Sequence, residues 1–149
     1  MQGIEPLRYL ESLNLEDNRI SKIESLMYCQ RLKKLYLSKN FIRKLEGTQF
    51  CASLQELYLS QQRFAEGEYF LIDQESIIGV SETLQTLEMN SVRCRSIENL
   101  QFLRNLPFLL RLHKPSLSAR ELNRQDSGHR SSPTRYVLPS NARLTPESN

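Results

Sequence analysis

The chain has 149 residues, 25 % of them charged and 39 % hydrophobic, with a formal net charge of +3. That length suits one domain with a core of modest size, and the composition is that of an ordinary soluble protein. No apolar run approaches the roughly 18–20 residues of a membrane span, and no signal-peptide pattern opens the chain, so no membrane partner is expected. The net charge is unevenly spread. Residues 1–112 carry 14 basic and 14 acidic side chains, and the surplus lies wholly in the last 37 residues.

From Leu10 the chain repeats itself. Leu10, Leu13, Leu15, Asn18, Ile20, Ile23, Leu26 and Cys29 are followed by Leu32, Leu35, Leu37, Asn40, Ile42, Leu45, Thr48 and Cys51 at the same offsets, a period of 22. A third round opens with Leu54, Leu57 and Leu59. The period lies within the ~20–29 residues of leucine-rich repeats. An amphipathic helix, with apolar spacing near 3.6, would not pin an Asn at one fixed point. Leu13 and Leu15 lie two apart, so on an extended segment they share a face and Asn14 takes the other. The expected fold is α/β: a leucine-rich-repeat solenoid with a short parallel sheet on its concave face and helical or 3-10 turns on its convex face. Asn18 and Asn40 are expected to be buried at the turn after each strand, their amides satisfying irregular backbone. No repeat can bury its apolar face alone, so stability must come from stacking.

Counting back from Leu10 puts Ile4 and Leu7 at repeat positions, so the chain is expected to start within a repeat, as a fragment or shortened isoform would. Further on, the third repeat is longer. Gln62 stands at the Asn position, Phe64 at the Ile position, and the next start is Leu84, eight residues late. Asp73 precedes the apolar run Ile77, Ile78, Val80 and is the expected N-cap of a short helix. A fourth repeat follows with Leu84, Leu87, Met89, Val92 at the Asn position, Cys94, Ile97, Leu100 and Leu103. Without the Asn in repeats three and four, backbone groups there are expected to be less well satisfied. A partial fifth repeat starts at Leu106, with Leu109 next and Arg111 where a core Leu belongs.

Residues 113–149 change character. They are rich in Ser, Pro and Arg, poor in apolar side chains, and expected to be a disordered tail after the 1–112 repeat domain. Ser132-Pro133, Thr145-Pro146 and Ser127 after Arg124 are weak phosphorylation matches. Six basic residues from Lys114 to Arg143 could meet an acidic surface such as a tubulin tail. They are scattered and lack interleaved aromatics, so no nucleic-acid partner is expected.

Nothing in the chain points to catalysis. His113 and His129 are the only histidines, no glycine-rich phosphate loop exists, and no Ser or Cys has a base placed beside it. Cys29, Cys51 and Cys94 occupy core positions and read as buried thiols, although Cys29 and Cys51 could lie close enough to join if oxidised. No metal or other cofactor is expected, and no enzyme. The candidate site is instead the concave face, where residues between paired leucines form columns. Asn14, Tyr36, Tyr58 and Glu88 make one; Ser12, Lys34, Glu56 and Thr86 a second; Glu16, Ser38, Ser60 and Asn90 a third. Asn14, Glu16, Lys34, Tyr36, Glu56, Tyr58 and Glu88 are the expected protein-binding residues, because Tyr offers rigid area with a polar tip.

The 22-residue offsets resemble repeats of protein phosphatase 1 regulatory subunits and several ciliary proteins. Residues 54–84, with Gln62-Arg63, Gly67-Glu68 and the longer repeat, resemble the family of protein phosphatase 1 regulatory subunit 42, the testis leucine-rich-repeat proteins. That resemblance covers roughly residues 1–110. It implies a non-catalytic scaffold that binds the phosphatase 1 catalytic subunit, in the cytoplasm and cytoskeleton at the microtubule-organising centre or centrosome. The alternatives are a ciliary adaptor for microtubules, tubulin or a kinesin-type motor, and a truncated isoform without activity of its own. The basic-Val-x-Phe docking motif of phosphatase 1 partners is absent; Arg135-Tyr136-Val137-Leu138-Pro139 only approximates it.

Overall fold

The computed structural model describes residues 8–95, 100–101, 104, 106–113, 116–117 and 143–144, the last two pairs by backbone alone. Strands are numbered here in chain order. The main sheet holds β1 (Ser12–Asn14), β2 (Lys34–Tyr36), β4 (Glu56–Tyr58), β6 (Thr86–Glu88), β8 (Arg111–His113) and β10 (Arg143–Leu144), all parallel and in that order. A second, shorter ladder pairs β3 (Lys44–Leu45) with β5 (Leu71–Ile72), and a third pairs β7 (Arg93–Cys94) with β9 (Ser116–Leu117). Between strands run two 3-10 turns, Leu26–Tyr28 and Thr48–Phe50, and one helix, α1 (Gln74–Ile78). Ile4, Leu7, Ile97, Leu103 and most of 113–149, including the phosphorylation matches, lie outside the described residues. Within that expected tail, the described His113, Ser116–Leu117 and Arg143–Leu144 are all in strands.

Each strand stands in register with the last: Leu13 against Leu35, Leu35 against Leu57, Leu57 against Leu87, and Leu87 against Leu112. Leu35, Leu57, Leu87 and Leu112 are buried, while Leu10, Leu13, Leu15 and Ile20, at the outermost described strand, are only half-buried. The joints between repeats are uniform. One carbonyl accepts from two successive N–H groups of the next repeat: Glu11 from Lys33 and Lys34, Lys33 from Gln55 and Glu56, Gln55 from Gln85 and Thr86, Gln85 from Leu110 and Arg111. After β1, β2, β4 and β6 the backbone enters the left-handed region at one repeat position, Asp17 (φ 55), Lys39 (φ 59), Gln61 (φ 56) and Ser91 (φ 56), which turns the chain inward.

Asn40 fulfils its expected part. Fully buried, it donates to the carbonyls of Leu15 (2.9 Å), Leu37 (3.0 Å) and Ser38 (3.2 Å) and accepts from Ile20 N (3.0 Å). Two expectations need correction. Asn18 is exposed, and its amide reaches only its own turn, the carbonyls of Leu15 and Glu16. Gln62 is no loss of the amide. Its longer arm restores three of the four bonds, donating to Leu37 and Leu59 carbonyls (2.8 and 3.0 Å) and accepting from Ile42 N (2.9 Å).

The fifth repeat is also shifted. Leu112, not Leu109, is the strand leucine, so Leu84 aligns with Leu109 and the fourth repeat runs to 25 residues. Arg111 therefore lies on the open face opposite Thr86 and never enters the core. The eight extra residues of the third repeat divide in two. From Gln62 to Ile72 is ten positions where Asn40 to Leu45 is five, and Ile72 to Leu84 is twelve where Leu45 to Leu54 is nine. Phe64 is half-buried, and Phe70 is the aromatic that is fully buried.

Helix α1 begins as expected: Asp73 Oδ2 accepts from Ser76 N at 3.2 Å. It packs hard against the second 3-10 turn. Buried Thr48 donates to the Ser76 carbonyl (3.0 Å), and Ser76 Oγ meets Gln49 Oε1 (3.0 Å). A Cβ on Gly79 would stand 2.7 Å from the Gln49 carbonyl oxygen and closer still to Gln49 Cα. Gly79→Ala is thus expected to destabilise by about 1–3 kcal/mol through overpacking against backbone. Asn40→Ala should destabilise by about 3 kcal/mol or more, since it orphans several buried groups at ~1–3 kcal/mol each, against about 1 kcal/mol or less for exposed Asn18→Ala. Urea unfolding of the three variants checks both statements.

Candidate protein-binding face

Strand alternation puts Leu13, Leu35, Leu57, Leu87 and Leu112 inward, and their neighbours on the open face of the sheet. Register then fixes the columns. Asn14, Tyr36, Tyr58 and Glu88 lie on successive strands, and His113 continues them. Ser12, Lys34, Glu56, Thr86 and Arg111 make the adjoining column. The Tyr36 and Tyr58 rings stack with centroids 4.6 Å apart and planes 8° from parallel.

Glu16, Lys34, Lys39, Glu56 and Glu88 are each engaged by a neighbour on this face. Lys34 Nζ stands 2.9 Å from Glu56 Oε1, and the Tyr58 hydroxyl donates to Glu56 Oε2 at 2.8 Å. The hydrogen bond from Lys34 leads in holding the Glu56 carboxyl below its ordinary range, and the Tyr58 hydroxyl assists. The same bond raises Lys34. Burial first, then the Glu56 carboxylate, pushes the Tyr58 phenol up to about 12. Along the third column, Ser38 Oγ accepts from Ser60 N (3.1 Å), Ser60 Oγ accepts from Asn90 N (3.0 Å), and Ser60 Oγ donates to Glu88 Oε1 (2.7 Å). Glu16 pairs with Lys39 (3.0 Å), while Asn14 Oδ1 accepts from Glu16 N (2.9 Å).

All seven expected residues therefore lie on or at the rim of one surface. Sequence reading missed Lys39, Arg63, Asp17 and Arg111. Arg63 stands at the start of the longer excursion of the third repeat, pairs with Asp17 two repeats away, and lies over the Phe41 ring at 5.4 Å. No spacing rule announces that pairing, because it depends on where the insertion folds back. Arg111 was legible only after shifting the fifth repeat.

Elsewhere, burial pushes the thiols up, Cys51 to about 12 and Cys94 to about 11, and Cys29 in the same direction. That disfavours the thiolate a nucleophile needs. Among the described residues no cluster of three metal-ligating side chains occurs, and no helix is long and apolar enough to cross a membrane.

The raised Tyr58 phenol predicts a pH dependence. Its folded value lies above the ordinary 10.0, so its contribution is fully present below pH 10 and is lost as pH rises toward 12. Ultraviolet titration should show one late phenol that Tyr58→Phe removes, and thermal stability of the native chain should fall more steeply than that of Tyr58→Phe across this window.

No curated protein matches the chain. Residues 8–64, which span the first two repeats and the start of the third, match the family model described as Leucine rich repeat. With the in-register parallel strands, this match identifies the chain as one that carries a leucine-rich-repeat region.

Proposed function

We propose that this chain is a non-catalytic scaffold, a solenoid whose concave side is the open sheet face, and that it docks another protein there. The observation that carries this reading is the stacked Tyr36–Tyr58 pair, flanked by the Lys34–Glu56 ion pair. Such a surface offers rigid aromatic area beside an ion pair that is already formed, and leucine-rich repeats are typically protein-binding and not catalytic. Asn14, Glu16, Lys34, Glu56 and Glu88 form its polar surround.

For the partner we propose the catalytic subunit of protein phosphatase 1, at the microtubule-organising centre, on the resemblance of residues 54–84 to its regulatory subunits. The surplus of basic residues beyond residue 112 favours a second reading, an adaptor that meets acidic tubulin tails. Affinity measured against purified phosphatase 1 catalytic subunit should weaken about thirtyfold or more when Tyr36→Ala and Tyr58→Ala are combined with Glu56→Lys. Retained affinity would move the site off this face. Pelleting with microtubules, with and without residues 113–149, tests the adaptor reading: loss of co-sedimentation on truncation supports it, and no co-sedimentation of the full chain removes it.

A further inference from the structure

A second surface lies among the outer turns, away from the strands. A groove of about 350 Å³ runs between the turns Leu26–Tyr28 and Thr48–Phe50 and reaches the start of α1. Its apolar side is Met27 and Phe50, which are 47 % and 48 % exposed although each adjoins a buried neighbour in its turn. These are large side chains left open at neighbouring repeats, and Ile78 of α1 is more open still at 60 %. The other side of the groove is acidic. Glu24, Glu46, Asp73 and Glu75 line it together with Lys22 and Lys44, and Lys44 bridges Glu46 and Asp73 at 3.0 and 3.5 Å. No cation among the described residues pairs with Glu75. The Asp73 carboxyl is held below its ordinary range, by the Ser76 N–H first, so it stays charged at neutral pH.

We infer that this outer groove is a docking site for a partner segment that carries an apolar and a basic side chain on one face. The apolar side chain lies between Met27 and Phe50, and its basic neighbour reaches the Glu46–Asp73–Glu75 rim. Charge decides the occupant. Two lysines, Lys22 and Lys44, stand against four carboxylates in the groove, so an acidic segment would meet net repulsion, and a purely apolar one would bury excess carboxylate without a counter-charge. A basic side chain can lay its methylene stem along Phe50 while keeping its head at the carboxylates. This site is separate from the tyrosine face and does not depend on what binds there.

The probe is a synthetic amphipathic peptide with Leu and Arg on one face, titrated into the full chain by fluorescence polarisation. Its counterpart has Glu in place of Arg. Binding of the Arg peptide should weaken about tenfold or more in Glu75→Lys and in Met27→Glu, and should also weaken as salt rises. Both positions are exposed, so these variants should keep the native melting transition. Tyr36→Ala should leave this binding unchanged. Equal binding of the Glu peptide, or indifference to both groove variants, would overturn the inference. So would sedimentation showing a dimer that Met27→Glu dissolves, because the occupant would then be a second copy of the chain.

Discussion

A strand of three residues has no stability of its own; it exists here because the strands on either side complete its hydrogen bonds and cover its leucine. The side-chain amides of Asn40 and Gln62 enforce that dependence. Each reaches back a full repeat for a carbonyl and an N–H while also closing its own turn. One side chain thus ties two repeats at the point where the backbone leaves the sheet, and its loss would open both. Val92 has no amide to give. Among the described residues the one buried side-chain atom left without a partner, Asn90 Oδ1, lies two residues before it.

The long third repeat shows how a regular stack absorbs extra chain without losing register. Its strand leucine, Leu57, remains aligned with Leu35 and Leu87, so the added residues leave the sheet undisturbed. Five of them form the excursion before Leu71, which Glu68 closes by accepting from Ala65 N while pairing with Arg43. The remaining three allow a turn of helix in place of a 3-10 turn. That wider turn fits only because Gly79 lets the helix lie directly on the Gln49 backbone, with Thr48 and Ser76 satisfying each other in the interior.

The sheet face and the outer groove differ in how their charges are managed. On the sheet face, Glu56 is matched to a lysine of the adjacent strand and a hydroxyl of its own, Glu88 to the Ser60 hydroxyl, and what remains for a partner is aromatic area and hydrogen bonding. At the outer turns the apolar side chains are open and the carboxylates outnumber their counter-ions. Coulomb attraction to exposed groups is weakened by salt, so a partner at the groove would gain more in selection and encounter rate than in strength.

Much of this architecture was legible in the residues themselves. A leucine spacing of three and two, repeated every 22 residues with an Asn at one point, allows only short parallel strands in register, because side chains two apart share a face. That alone placed Tyr36 beside Tyr58, and acidic residues ahead of an apolar run placed Asp73 at the start of a helix. What the spacing could not decide was anything that depends on distance between repeats. Whether Gln62 could replace Asn40 turned on the reach of one more methylene. The burial of Phe70, the shift of the fifth strand to Leu112, the partnership of Arg63 with Asp17 and the groove between turns arise where loops of unequal length fold back on a regular stack. Local sequence encodes the strand; packing across repeats decides where its departures come to rest.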